Sequence, residues 1–303
     1  MYKLIVNNQD IFNDGNTVSW GGDTDNLGSQ LTFDSIKEIP TGTVVQLFND
    51  SLEIFRGIAF HPIKKRWIWS YTCQDYSYYL KNNKISVKQF YNMRADDAIR
   101  SLANEAYLIC IIVDMPTPIS KTYSNTTMDK IIDDILEQAK NDQGATYFKE
   151  IEGNILYIRK LSEMKINPKI ILPKQIDIDM SMEKMKNRIT VTSGNDDNAK
   201  VEATAEDTSQ QGFYGVLSDN FNVEDKNIAQ AQNIANNALA NSNKIEYSAT
   251  LNDMIALKDG DLIKPNRMIY LQAGSRLNGY YKIKNANHKL QNGLHKASIT
   301  VVW

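Results

Sequence analysis

The chain has 303 residues, 42% of them hydrophobic and 23% charged, which is ordinary soluble globular usage. That length suits about two domains of ~100–200 residues and excludes a mostly disordered chain. Lys and Arg total 34 against 36 Asp and Glu, a formal net charge of −2, so no general electrostatic pull toward nucleic acid or anionic membrane exists.

The longest uninterrupted aliphatic run, residues 108–113 with Cys110 inside it, is six residues long. A membrane-spanning helix needs about 20, so the run reads as a buried strand. The apolar start Met1-Tyr2-Lys3-Leu4-Ile5-Val6 stops at Asn7-Asn8, short of a signal-peptide core and without a cleavage site. Two cysteines, Cys73 and Cys110, make no disulfide scaffold. Each lies in an apolar strand-like segment, where a free thiol behaves as a small hydrophobe. These features predict a chain folded in a reducing cytoplasm with no membrane partner.

In chain order, short β patterns come first. Thr17-Val18-Ser19-Trp20 and Leu31-Thr32-Phe33 alternate as half-buried strands, with Gly21-Gly22 and Asn26-Leu27-Gly28 as punctuation. Residues 44–48 and 52–55 flank Asn49-Asp50-Ser51 as a hairpin. After the basic turn Lys64-Lys65-Arg66, positions 67, 69, 71 and 73 are large or apolar, predicting a strand over 67–73 with one buried face. Repeated strands at this spacing indicate a sandwich or barrel.

From about residue 92 the period changes. Ala95, Ala98, Ile99, Leu102, Ala103 and Ala106 keep helical spacing, with Asp96 and Asp97 in the first turn, where the helix dipole favours anions. Met128, Ile131, Ile132, Ile135, Leu136 and Ala139 fall at offsets 0, 3, 4, 7, 8 and 11. Thr126 with Asp129 predicts the cap of this second helix and Gly144 its stop. Residues 145–149 and 154–159 flank a further hairpin turn, completing a small α+β unit.

The last third returns to strands. Residues 188–192 form a β run, and Ile228, Ala231, Ala235, Ala238 and Leu239 keep helical spacing within 225–241. Strand patterns follow at 268–271, 280–284, 287–290 and 294–303. Asn292-Gly293 between the last two is a strong hairpin signal, because a type I′ turn needs positive φ at both central positions. The layout of this region repeats that of the first, which predicts a duplicated β domain. The chain is also expected to carry no further C-terminal module beyond this strand.

Side chains suited to chemistry are few. His61, His288 and His295 lie near no second ligand type at metal-site spacing; His288 and His295 flank the 292–293 turn and read as an ordinary surface pair. No zincin, Walker, Rossmann or nucleophile-elbow motif occurs, and Ser193-Gly194 and Ser275 lack a base partner. Asp23-Thr24-Asp25-Asn26-Leu27-Gly28 resembles a calcium loop but lacks its later ligands, so it reads as a polar loop. Asp133-Asp134 and Asp196-Asp197 read as solvated acidic surface. Lys64-Lys65-Arg66 beside Trp67 and Trp69 reads as a solvated turn rather than a base-stacking platform. Tyr78-Tyr79 and Tyr280-Tyr281 read as packing and subunit contacts, with a carbohydrate surface as the other reading. The expectation is no catalytic residue, no metal and no cofactor.

The order of these motifs resembles the baseplate hub proteins of contractile phage tails and tail-like particles, the XkdQ-type, late-control-D-like and T4 hub-like group. The resemblance is carried by Trp20, Leu31-Thr32-Phe33, Ile54-Phe55-Arg56-Gly57, Ser70-Tyr71-Thr72 with Asp75-Tyr76, and Tyr79-Leu80-Lys81-Asn82. Thr127 to Ile132, Met185 to Val191, and Gly279-Tyr280-Tyr281-Lys282-Ile283 through His288 to Gly293 extend it along the chain.

The resemblance implies an α+β, β-dominated fold. Two tail-tube-like β-barrel or sandwich domains, residues 1–86 and 176–303, would flank a small α+β domain at 87–175, with a helical insertion at about 200–250. It further implies a non-enzymatic homotrimer in the virion tail baseplate, adapting a six-fold tube to a three-fold spike and lining the channel. Duplicated domains let a closed three-fold ring imitate a six-fold neighbour, and near-neutral charge suits DNA sliding past without specific binding. Implied partners are the tail tube protein, the spike or puncturing protein, baseplate wedge and LysM-type proteins, and the tape measure protein. Alternative roles are a tail-tip peptidoglycan hydrolase, which needs a carboxylate or Cys–His pair, and a glycan-binding baseplate protein.

Overall fold

The computed structural model describes residues 1–12, 17–26, 28–194, 198–223, 225–291 and 293–303. The first β region holds β1 (Tyr2–Val6), β2 (Gln9–Asp10), β3 (Val18–Asp23), β4 (Ser29–Ser35), β5 (Val44–Asn49), β6 (Leu52–Lys64) and β7 (Trp69–Asp75). Next come α1 (Ser77–Asn82), β8 (Lys84–Arg94), α2 (Ala95–Glu105), β9 (Ile109–Ile112), β10 (Pro118–Thr127), α3 (Met128–Gln143), β11 (Tyr147–Glu152) and β12 (Ile155–Lys160). The last stretch begins with β13 (Lys165–Ile166), β14 (Lys169–Ile171), β15 (Asp177–Ser181), β16 (Arg188–Ser193), β17 (Lys200–Glu206), α4 (Thr208–Tyr214), β18 (Ser218–Val223) and α5 (Ala231–Ser242). It closes with β19 (Glu246–Lys258), β20 (Met268–Gln272), β21 (Asn278–Gln291) and β22 (Leu294–Val302).

The fold is β-dominated α+β, and its main sheet curls into a half-barrel. That sheet runs β14-β19-β22-β21-β3-β4-β7-β6-β5-β1-β2, so strands from both β regions share one hydrogen-bonded surface. The joint is β21. Its first half pairs with β20 and its second half with β3, while β22 runs along its other edge.

Close approach at this joint explains Gly21, the first of the Gly21-Gly22 pair. Sequence reading takes them as punctuation; they lie inside β3, opposite Asn287 and Ala286. A Cβ on Gly21 would sit 2.4 Å from the Ala286 carbonyl oxygen, so only glycine lets β3 lie this tightly on β21.

Among the described residues, four apolar cores form around these elements. One lies beneath the first β region, built from Leu4, Leu31, Val45, Leu47, Tyr71 and Cys73, with Leu290 of β21 reaching into it. A second, with Leu251, Met254, Ile269, Ile283, Ile299 and Val301, fills the last β region. A third joins α2 and α3 to β8–β12 through Ile99, Leu102, Ile131, Ile132 and Ile135. The fourth lies between α5 and the small sheet β17-β16-β18.

α2 and α3 occupy the helical patterns, and Gly144 ends α3 in the left-handed conformation at φ 67°. The α3 cap is Thr127 rather than Thr126, with no side-chain bond to a cap amide; its hydroxyl bonds Asp129 instead. The last hairpin forms as expected: Gln291 pairs with Leu294, and Gly293 has φ 73°. Asn292 lies outside the described residues.

Several expectations need correction. Residues 108–113 are not a fully buried strand: β9 is paired only with β12, and Ile109 and Ile111 are exposed. Apolar runs mark a two-sided core only when both faces are covered, and here one is not. Trp67 is 77% exposed in the turn before β7, because the basic residues before it place the hairpin tip in solvent. The patterns at 280–284 and 287–290 are one strand, bent where its pairing with β22 shifts between Ile283 and Asn285. The side chain of Asn285 accepts the Thr300 amide there, replacing the interrupted ladder bond.

Candidate functional site: two polar seams that join the parts

Several buried polar side chains gather where separate segments meet. At the β21–β3 joint, His288 and His295 are 3% and 9% exposed. They are therefore not a surface pair, because the first β region covers their hairpin on that side. His288 Nδ1 lies 2.8 Å from His295 Nε2, and His288 Nε2 lies 2.7 Å from the Ile263 carbonyl oxygen. His295 Nδ1 is 2.9 Å from the Tyr2 hydroxyl, which is 3.0 Å from Asp261 Oδ1. Asn49 donates to Asp261 Oδ2 at 2.8 Å.

Trp20 stacks flat on His288, with ring centroids 4.8 Å apart. Burial, reinforced by His295, pushes the His288 pKa down to about 3, so the ring is neutral. Burial and the Asp261 charge both raise the Tyr2 pKa, keeping it a phenol.

The second seam holds the α+β unit. Arg267, 5% exposed, donates through one terminal nitrogen to both Glu150 oxygens at 2.8 and 3.0 Å. Lys264 and Arg159 each reach Glu152 at 3.0 Å, and Arg159 also pairs with Glu150. Burial alone would raise the Glu152 carboxyl, but Lys264 and Arg159 outweigh it and hold the pKa at about 2. A cavity of 390 Å3 opens beside this cluster, lined by Trp20, Arg56, Asp75, Lys140, Lys149 and Lys282 among others.

Other sequence candidates are dispersed. His61 is exposed on β6. Asp25 donates its amide to Asp23 Oδ1 and pairs with Lys284; Leu27 of that loop lies outside the described residues, as does the Asp196-Asp197 pair. Asp133 and Asp134 are not simply solvated: Asp133 pairs with buried Lys149, and Asp134 accepts from Lys121, Tyr123 and Gln138. Ser193 is buried and donates to Glu202. Among the described residues no cluster of three or more His, Cys, Asp or Glu side chains is arranged for a metal. No helix among them is long and apolar enough to cross a membrane.

Tyr79 and Tyr280 are partly exposed, whereas Tyr281 is buried against Trp303. Lys64 sits over the Trp69 ring and Arg66 over Trp67, a basic and aromatic hairpin tip.

Sequence reasoning missed Tyr2, Asn49, Asp261, Glu150, Glu152 and Arg267. It also missed Asp75, which is buried and accepts the amides of Ser29 and Ser77, fixing the start of α1. The partners are separated by up to 293 positions in the first seam and up to 117 in the second, beyond the reach of local pattern.

The YQBQ-like family model matches residues 18–302, nearly the whole chain and both seams apart from Tyr2. The chain belongs to the YQBQ-like family. No curated protein sequence matches it. The fold of this YQBQ-like chain is shared with the tail protein of Neisseria meningitidis MC58, at TM-score 0.72 and 13% identity, over 100% of this chain and 96% of that one. It is shared with the 43 kDa tail protein of prophage MuSo2 from Shewanella oneidensis, at 0.71 and 11% identity, over 99% and 97%. A more distant likeness, at 0.53 and 8% identity over 99% and 76%, is to E. coli c3393. That protein is a component of the type VI secretion system with structural similarity to T4 bacteriophage tail proteins gp27 and gp5. At these identities the likeness carries the fold.

Proposed function

We propose that this YQBQ-like protein is a structural, non-enzymatic component of a phage or phage-like tail, serving as the baseplate hub. Three copies form a ring that adapts a six-fold tube to a three-fold spike and lines the central channel. The supporting observation is the main sheet, in which two β regions join edge to edge through β21 and β3 into one hydrogen-bonded surface, within a fold shared with phage tail proteins. On this reading residues 1–86 and 176–303 are the two tube-like units and 87–175 the α+β unit between them. Its partners are the tube, spike, wedge, LysM-type and tape measure proteins, and its place is the virion baseplate.

Two observations favour a structural role over hydrolysis. Burial pushes the Cys73 thiol up to about 12, so it is no nucleophile at neutral pH. The carboxylates of the second seam are spent in ion pairs with Arg159, Lys264 and Arg267. Co-expression with the tube and spike proteins, followed by mass measurement of the purified assembly, tests the reading. Three copies per spike trimer are expected, and a chain that stays monomeric beside both partners overturns it. Cell-wall zymography of the same sample should show no clearing.

A further inference from the structure

The buried polar chain at the β21–β3 joint can be read proton by proton. A carbonyl oxygen only accepts, so the 2.7 Å contact with Ile263 makes His288 Nε2 a donor. Neutral His288 then presents Nδ1 as an acceptor, and His295 Nε2 donates to it across 2.8 Å. The contact between His295 Nδ1 and the Tyr2 hydroxyl needs one proton, and that between the hydroxyl and Asp261 Oδ1 needs another. The four contacts therefore need four protons. Two neutral imidazoles, one phenol and one carboxylate supply only three.

We propose that this joint is a proton-held latch: the folded chain retains one extra proton in the segment His295–Tyr2–Asp261, and losing it loosens the hold between the N-terminal strand and the C-terminal hairpin. The proton has two resting places. On His295 Nδ1, the imidazolium donates to the Tyr2 oxygen, which donates to the Asp261 carboxylate. On Asp261 Oδ1, the acid donates to the Tyr2 oxygen, which donates to neutral His295. Passing between them transfers the Asp261 proton to the Tyr2 oxygen and the Tyr2 proton to His295 Nδ1, so atoms and charge balance.

Both arrangements leave the four groups neutral overall, as suits a site where His288, His295 and Asp261 are 3%, 9% and 7% exposed. Without the proton, a buried negative charge remains and one contact sets acceptor against acceptor.

The charged groups around the chain are few. Lys264, beside Ile263, is ion-paired with Glu152. The Met1 ammonium and Asp50 pair with each other at the strand ends next to Tyr2 and Asn49. Lys289 and Lys296 pair in register on the outer face of the hairpin, and Asp259 precedes the Asp261 turn.

The test is urea unfolding of the full chain at one protein concentration, from about pH 7.5 to about pH 8.5, above the ordinary histidine value of about 6.5. In that window the unfolded chain holds none of the extra proton and the folded chain holds one. The unfolding equilibrium constant is expected to rise by up to about tenfold per pH unit. In Asp261→Asn the carboxamide donates permanently to Tyr2 while its oxygen still accepts from Asn49, so this rise should vanish.

Tyr2→Phe, which keeps the ring and breaks the chain, should abolish the rise as well. Equal pH dependence in the natural chain and in either folded variant overturns the latch, and so does a flat profile for the natural chain. Nitrogen NMR of labelled histidines needs no variant: His288 protonated on Nδ1 rather than Nε2 also overturns it.

Discussion

Trp20 and His288 are direct register partners across the β3–β21 ladder, and their rings lie 5° from parallel with centroids 4.8 Å apart. One residue belongs to the first β region and the other to the last hairpin, so this stack sits on the joint that makes two β regions one sheet. Trp20 is also within ring contact of Tyr2 and His295. Trp20→Ala is therefore expected to cost about 3–5 kcal/mol, the usual range for deleting a large buried aromatic. Denaturant unfolding measures it; a loss below about 1 kcal/mol would mean that the backbone ladder alone holds the joint.

Two glycines make a matched pair of tests. A Cβ on Gly21 would meet the Ala286 oxygen at 2.4 Å, whereas one on Gly212 in α4 meets nothing within 4 Å. Gly21→Ala should destabilise by about 1–3 kcal/mol, as overpacking does. Gly212→Ala should be neutral or stabilise by up to about 1 kcal/mol, since glycine is a poor helix residue. Thermal melting of both variants gives the contrast.

The ion-paired seam predicts acid behaviour. Glu152 has its pKa held at about 2, below the ordinary value, so its stabilising contribution is complete above the normal carboxylate range and is lost as pH falls toward 2. His288, pushed down to about 3, acts in the same direction: it is neutral when folded, and stability falls from the ordinary histidine range downward. Lys264→Gln should move the Glu152 carboxyl upward, which carbon NMR of the side chain reads directly.

Arg267→Ala should cost up to about 3 kcal/mol, because Glu150 loses its most buried partner and keeps only the more exposed Arg159. A larger apolar replacement for the whole Glu150–Arg267 pair should recover much of that loss. Comparing the single and double variants in urea separates charge burial from packing.

The two cysteines should differ in reactivity. Cys73 is fully buried with its thiol pushed up to about 12, while Cys110 on the edge strand β9 is half-buried. A thiol reagent at neutral pH should modify Cys110 in the native chain and both thiols after denaturation. Prompt labelling of Cys73 in the native chain would show that the first core opens readily.

Local pattern was enough wherever one element decides its own shape. α3 is legible because its apolar spacing places Ile131, Ile132, Ile135 and Leu136 on one stripe, and Gly144 supplies the left-handed cap. The 291–294 hairpin is legible because a two-residue turn has strict φ requirements. β8 and β10 are not legible: their polar, irregular sequences take strand form only because they pair with each other above the helical core. Nor does the aliphatic run of β9 reveal that one face is left open, since exposure depends on what lies beside a strand rather than on the strand.

From the order of residues alone follow the β-dominated class, the helices α2 and α3 and the closing hairpin, each resting on periodicity or turn chemistry within a short window, and a likeness to phage tail proteins that rests on the order of motifs along the chain. The seams belong to the tertiary structure. Tyr2 meets His295 because β21 lies against β3, and Lys264 and Arg267 meet the β11–β12 hairpin where the α+β unit lies against the last β region. A buried polar contact is stable only when every partner arrives at hydrogen-bonding distance, and no local window contains them all.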